Sequence, residues 1–202
     1  MAGPHENLEH AEHAEHASHG GNKKIALLIS VLALFLAFSE TLGKSSQTAA
    51  IADNIKASDT WNFFQAKTIR QTALRTAAEG LTTQVPTVTS DEAKAAMNKQ
   101  IEAWRATAAR YESDPKEKDG RKELRALAEK YEHDRDTSLA RYHQYEFASA
   151  AFQIGIVLAS AEVITGIVLL GWLSGVLGVL GLGFMSLGLW APHALNFLLG
   201  GH

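Results

Sequence analysis

Three apolar stretches, Ile25–Leu42, Phe147–Trp172 and Val176–Trp190, flank a long polar segment that lies between the first and the second. A bilayer's hydrocarbon core is about 30 Å thick and takes roughly 17–25 apolar residues to cross as a helix. The first stretch meets that length, with Glu40 only near its end, and the second carries a single acid, Glu162. The third is short and glycine-rich, so it spans with its flanks or is re-entrant. The expectation is an all-α membrane protein with three transmembrane helices, 23–43, 147–172 and 176–191, and a long helical coiled-coil stalk inserted between spans 1 and 2. The averages conceal this: a hydrophobic content of 46% and a mean hydropathy of -0.08 resemble a soluble domain because polar and apolar blocks cancel. Lys23-Lys24 before an apolar run also suits a signal peptide. However, residues 1–22 precede it and no clean small-x-small cleavage motif follows, which favours a retained span.

Residues 1–22 form a His/Glu-rich tail built on a repeated Glu-His-Ala unit, expected to lack stable structure. The stalk, 44–146, reads as three helices. The first, 44–80, carries sparse apolar residues (Ile51, Ile55, Phe63, Ile69, Leu74) and is closed by Gly80. Leu81–Thr89 is β-branched, contains Pro86 and reads as an extended strap, 81–89, running back toward the membrane. The strap answers a parity problem: a middle helix reversed by two tight turns would leave the chain on the wrong side. The second helix, 90–113, starts with Ser90 as N-cap and acids Asp91 and Glu92 in its first turn. Its seam, Met97, Ile101, Trp104, Ala108 and Tyr111, steps by four and three as coiled coils do. Asp114-Pro115 then caps and opens a third helix, 115–146, that reads on without a break to about Trp172. Residues 192–202 form a tail.

Charge and composition exclude several functions. There is no cysteine, hence no disulfide, thiolate metal site or Cys nucleophile. The net charge of -3 is spread over interleaved signs, with no basic patch for nucleic acid. No nucleophile–base–orienter set or phosphate loop can be assembled, and nothing demands a cofactor. Glu162 is the outstanding single residue. A carboxylate at the bilayer centre costs a few kcal/mol and faces protein or water. Gly155, Ala159, Glu162 and Gly166 form one stripe of mostly small residues, with Thr165 a candidate hydrogen-bond partner for the acid. Gly171-x-x-x-Gly175 matches the small-residue pattern of closely packed spans. His10, His13, His16 and His19 form a candidate tract for a divalent metal. Glu40 is expected to pair with Lys44, four residues on. Trp61, Phe64, Trp104 and Tyr111 are expected at helix interfaces.

The run Ala57-Ser58-Asp59-Thr60-Trp61-Asn62-Phe63-Phe64-Gln65-Ala66-Lys67-Thr68-Ile69-Arg70 resembles the signature of a bacterial family known only as domain of unknown function 4337. The order of His-rich tail, span, helical insert and an Ile/Val-rich span beginning near Phe152-Gln153-Ile154 is similar to that family too. The resemblance implies a bacterial, inner-membrane protein and supplies no activity. Physically, the polar residues among those aromatics must be paired where buried, so Gln65 and Lys67 are expected to hydrogen-bond other stalk helices or a neighbouring subunit. The reading is a non-enzymatic, homo-oligomeric, multi-pass protein of the inner membrane, solvated by the lipid bilayer, whose stalk scaffolds or docks a protein partner. The alternative is an ion- or metal-linked channel or transport accessory using Glu162 and the histidine tract. All Lys and Arg other than Lys23 and Lys24 lie between Lys44 and Arg141, and the residues flanking the spans favour a cytoplasmic stalk.

Overall fold

The structure is a computed structural model that describes residues 23–194. Four helices account for most of it: α1, Lys23–Gln84; α2, Asp91–Glu112; α3, Arg121–Thr165; and α4, Val168–Trp190. A 3-10 turn, Val85–Thr87, follows α1. No strand occurs among the described residues. The chain divides into two compact units, one comprising residues up to Ile51 together with those from Asp136 onward, the other Ala52–Arg135.

In the Ala52–Arg135 unit, α1 runs antiparallel to both other helical segments. Thr82 meets Arg105, Gln71 meets Ala108 and Glu112, Thr68 meets Arg121, Trp61 meets Glu132 and Asn54 meets Arg135. Partners on α1 fall in number as the chain advances, so α2 and α3 run the same way. The segment Ser113–Gly120 passes α1 from one to the other without reversing the chain. This corrects the extended strap. Leu81–Gln84 stay helical and Val85–Thr87 form the 3-10 turn, because no second reversal is needed. Thr82 and Thr83 satisfy their hydroxyls on Ala78 O (2.6 Å) and Gly80 O (2.8 Å), and Pro86 fits a turn's start, where its missing N–H is no loss. Gly80 therefore does not end α1.

Two further boundaries behave differently from one another. Ser90 caps α2 as expected, its Oγ accepting from Ala93 N at 3.3 Å, with Asp91 and Glu92 in the first turn. Asp114-Pro115 does not open a helix. Asp114 accepts from Glu117 N and Lys118 N in a single turn that ends on Lys118 at φ 58°. The turn is shut by Glu123, whose carboxylate accepts from Ser113 Oγ (2.6 Å) and Asp114 N (3.3 Å). Gly120 is pressed so close that a Cβ would stand 2.6 Å from Ser113 Cα. α3 consequently begins at Arg121.

The other unit is a three-helix antiparallel arrangement. Its core is Ile25, Ile29, Leu32 and Leu36 of α1 against Ala148, Phe152, Ile156 and Ala159 of α3. Ser39 Oγ donates to Tyr145 O at 2.9 Å. Gln153 Nε2 donates to Glu40 Oε1 at 3.4 Å, so the acid's partner is Gln153 rather than Lys44. α4 lays a seam of small residues (Gly171, Ser174, Gly178, Gly181, Gly188) against the pair. Cβ atoms built on Gly178, Gly181 and Gly188 would lie 2.8 Å from Leu32, 2.6 Å from Phe152 and 2.9 Å from Tyr145.

The expected second span, 147–172, is broken, and with it the helix expected to run from Pro115 to Trp172. Gly166 sits at φ 71°, its N–H bonded to Glu162 O at 2.8 Å, as a left-handed glycine ends a helix. α4 then starts at Val168 rather than 176 and is a full 23 residues long. The third stretch is therefore part of a longer, unbroken helix rather than a short one. α1, α3 and α4 each contain a segment long and apolar enough to cross a bilayer.

Candidate functional site

In the Ala52–Arg135 unit, the inward face of α1 recurs every seven residues: Ala57, Phe64, Gln71 and Ala78, with Thr60, Lys67 and Leu74 between them. Its centre is polar. Gln71, 2% exposed, donates through Nε2 to Ala108 O (3.0 Å) and Glu112 Oε2 (2.9 Å). Its Oε1 accepts from Arg121 Nη1 at 2.6 Å. Arg121 also donates to Thr68 Oγ1 and Glu112, and its guanidinium lies 5.1 Å from the Phe64 ring centre. Lys67 is buried, paired with Asp119 at 2.7 Å and 5.0 Å from the Tyr111 ring centre. Trp61 donates to Glu132 at 2.8 Å and meets Phe64 edge-on. The hydrogen bond from Gln71, ahead of the Arg121 charge, holds Glu112 below the usual carboxylate range against the opposing effect of burial. Glu123 is held low chiefly by the Ser113 hydroxyl. Donors and acceptors in this cluster answer one another, and no buried side-chain atom in it lacks a hydrogen-bond partner, so it specifies how three helix segments meet.

The expected interface residues divide accordingly. Trp61, Phe64 and Lys67 face inward, and Trp104 and Tyr111 are half-buried on α2. Gln65 is exposed and has no side-chain hydrogen bond among the described residues, so the buried amide is Gln71 instead. Most of the apolar residues that drew attention on α1 point outward: Ile55 is 55% exposed, Ile69 70%, and Phe63 is exposed too, whereas Leu74 lies on the inward face. The sevenfold recurrence from Ala57 to Ala78 was the signal for the true seam. Nothing local marked Glu112, Asp119, Arg121 or Glu132 as its partners.

In the three-helix unit, Gly155 and Ala159 are buried. Gly155's missing Cβ would meet Leu32 at 3.3 Å. Gly166 is exposed and serves as a cap, and Gly175 has open space around its Cα. Glu162 is 8% exposed but is not placed at mid-span. It stands three residues before the end of α3, beside Ile25 and Leu28 in the first two turns of α1. Gly171 lies directly against its carboxylate. Thr165 does not partner it, because that hydroxyl donates to Ala161 O at 2.7 Å, and Glu162 Oε2 is left without a partner. Glu162 lines a groove of about 520 Å³ with Lys24, Ile25, Leu28 and the α4 face from Val168 to Leu180. No group of three or more metal-ligating side chains occurs among the described residues, and His10, His13, His16 and His19 lie outside them.

A family model described as "Domain of unknown function (DUF4337)" matches residues 21–191. The chain belongs to that family. No curated protein and no solved structure matches it. The Asp59–Lys67 run that carried the resemblance contributes both faces of α1: Trp61, Phe64 and Lys67 to the helix contact, Asn62, Phe63, Gln65 and Ala66 to the outside.

Proposed function

We propose that this DUF4337 protein is a non-enzymatic, homo-oligomeric integral protein of a bacterial inner membrane, whose Ala52–Arg135 unit docks a second copy. Support for insertion comes from the apolar surface left on all three helices of the other unit, including Leu34, Phe38, Ile154, Val157, Val176 and Val179. Trp172 and Trp190 stand exposed near the two ends of α4. At 1.5 Å per residue they are about 27 Å apart, close to the thickness of a hydrocarbon core flanked by aromatic belts. The observation that carries the docking reading is the outward pair Ile55 and Ile69. They lie about four turns apart on one side of α1, opposite the intramolecular seam of Ala57, Thr60, Phe64, Lys67, Gln71, Leu74 and Ala78, and so have no apolar partner within the unit to explain them. Crosslinking at native expression in intact membranes should trap oligomers, and Ile55→Lys with Ile69→Lys should reduce them to monomers. Only monomers from the parent protein would overturn the reading.

A second reading, an ion- or metal-linked transport accessory, is favoured by one observation, the unpartnered oxygen of Glu162. It predicts a change in ion flux for Glu162→Gln, and a metal phenotype when the tract His10–His19 is deleted. Neither change is expected for a docking protein.

A further inference from the structure

We propose that the Glu162 groove is a binding site for a single phospholipid with a primary-amine head group, the ammonium on Glu162, the phosphate at Lys24 and one acyl chain along α4. Glu162 is more than nine-tenths buried, and its Oε2 has no hydrogen-bond partner. A buried acceptor left unmade is costly, and a charged one more so. Lys24 lines the same groove, yet no ion pair within 4.0 Å joins the two residues among the described ones. The groove thus offers one charge of each sign that do not neutralise each other directly. A zwitterion carrying both charges complements them.

The remaining walls suit a hydrocarbon chain. Ile25, Leu28, Val168, Val176 and Val179 are apolar, the missing side chain of Gly175 leaves open space, and Gly171 makes room for the Glu162 carboxylate itself. The volume, about 520 Å³, is within the ordinary range of ligand sites. Val179 and Leu180 are themselves exposed, so the groove opens along an apolar surface from which a lipid enters sideways. The head group must be a primary amine because an ammonium presents three N–H donors, as in lysine, whereas a quaternary trimethylammonium presents none. An anionic glycerol head would answer Lys24 but offer Glu162 only neutral hydroxyl donors and no opposite charge.

The test uses the full-length protein in mild detergent, exchanged into nanodiscs of phosphatidylethanolamine, phosphatidylcholine or phosphatidylglycerol, with the lipid retained per chain measured by native mass spectrometry. A charge-assisted hydrogen bond predicts roughly tenfold greater retention of phosphatidylethanolamine than of phosphatidylcholine. Glu162→Gln, which conserves volume, should remove that preference. Gly175→Leu, which fills open space, should abolish retention with helicity unchanged. Equal retention of the two lipids, or an unaltered preference in Glu162→Gln, overturns the proposal. So does a changed subunit number in Gly175→Leu, which would assign the groove to a second copy. The readout is independent of crosslinking through Ile55 and Ile69, so the docking reading and this one fail separately.

Discussion

Truncating Gln71 to alanine removes the centre of the polar cluster and leaves its charged members in place. Three hydrogen bonds go: one to the neutral Ala108 carbonyl and two with ionised partners, Glu112 and Arg121. A neutral bond contributes about 1 kcal/mol net and a charged one about 1.5–3 kcal/mol. The charged contributions must be discounted. The Glu112 and Arg121 side chains are 35% and 24% exposed, remain paired at 2.9 Å and can regain water. The expected loss is therefore about 2–3 kcal/mol. Amide hydrogen exchange along α2, measured on the full-length protein in nanodiscs, reads this directly. Protection should fall roughly 30- to 160-fold. Gln65→Ala, six residues away on the exposed side, should change it by less than about threefold, as surface substitutions do. If the two variants were equally mild, or Gln65 the more damaging, the assignment of Gln71 to the buried seam would be wrong.

Gly181→Ala should destabilise the three-helix unit by about 1–3 kcal/mol in thermal unfolding, because its Cβ meets the fully buried Phe152 ring at 2.6 Å and the ring has nowhere to move. Gly183→Ala, with nothing within 4 Å, should be neutral or stabilising by up to about 1 kcal/mol. Glu112 and Glu123 have folded pKa values below their ordinary ones. Their contribution to stability is complete only above the ordinary glutamate value, about 4.3, and is lost as pH falls through the lower folded values. Tryptophan fluorescence from Trp61 and Trp104 should report loosening only in that acid range, and the double variant Glu112→Gln, Glu123→Gln should flatten the dependence.

The apolar stretches were legible because a bilayer imposes length and composition together, and the Ser90 cap and the α2 seam were legible because local chemistry dictates both. The inward face of α1 was not, because Ile55, Phe63 and Ile69 mark the outside while Ala57, Lys67, Gln71 and Ala78 meet the partner helices beside Phe64 and Leu74. A buried lysine and glutamine make sense only once Asp119, Glu112 and Arg121 are brought to them. The direction of α2 was misread because the reversal was assigned to Asp114-Pro115, with the strap 81–89 invoked to let α2 run the same way as α1, whereas the chain turns back before α2. Ser113–Gly120 instead hands α1 from one helix to the next, through a Glu123 contact ten residues from Ser113. The break at Gly166 hid among many glycines, and its positive φ distinguishes it from Gly171, which stays helical. Glu162 was expected at mid-span for the same reason: once the break is at Gly166, the acid belongs to a helix end.

Insertion of α1, α3 and α4 into lipid is the central claim, and cysteine accessibility tests it most directly because the natural chain has no cysteine. In native membranes, Leu34→Cys, Val157→Cys and Val179→Cys should resist a membrane-impermeant maleimide until detergent is added. In opened membranes, Gln65→Cys and Lys99→Cys should react at once. Rapid labelling of all five positions without detergent would contradict the account.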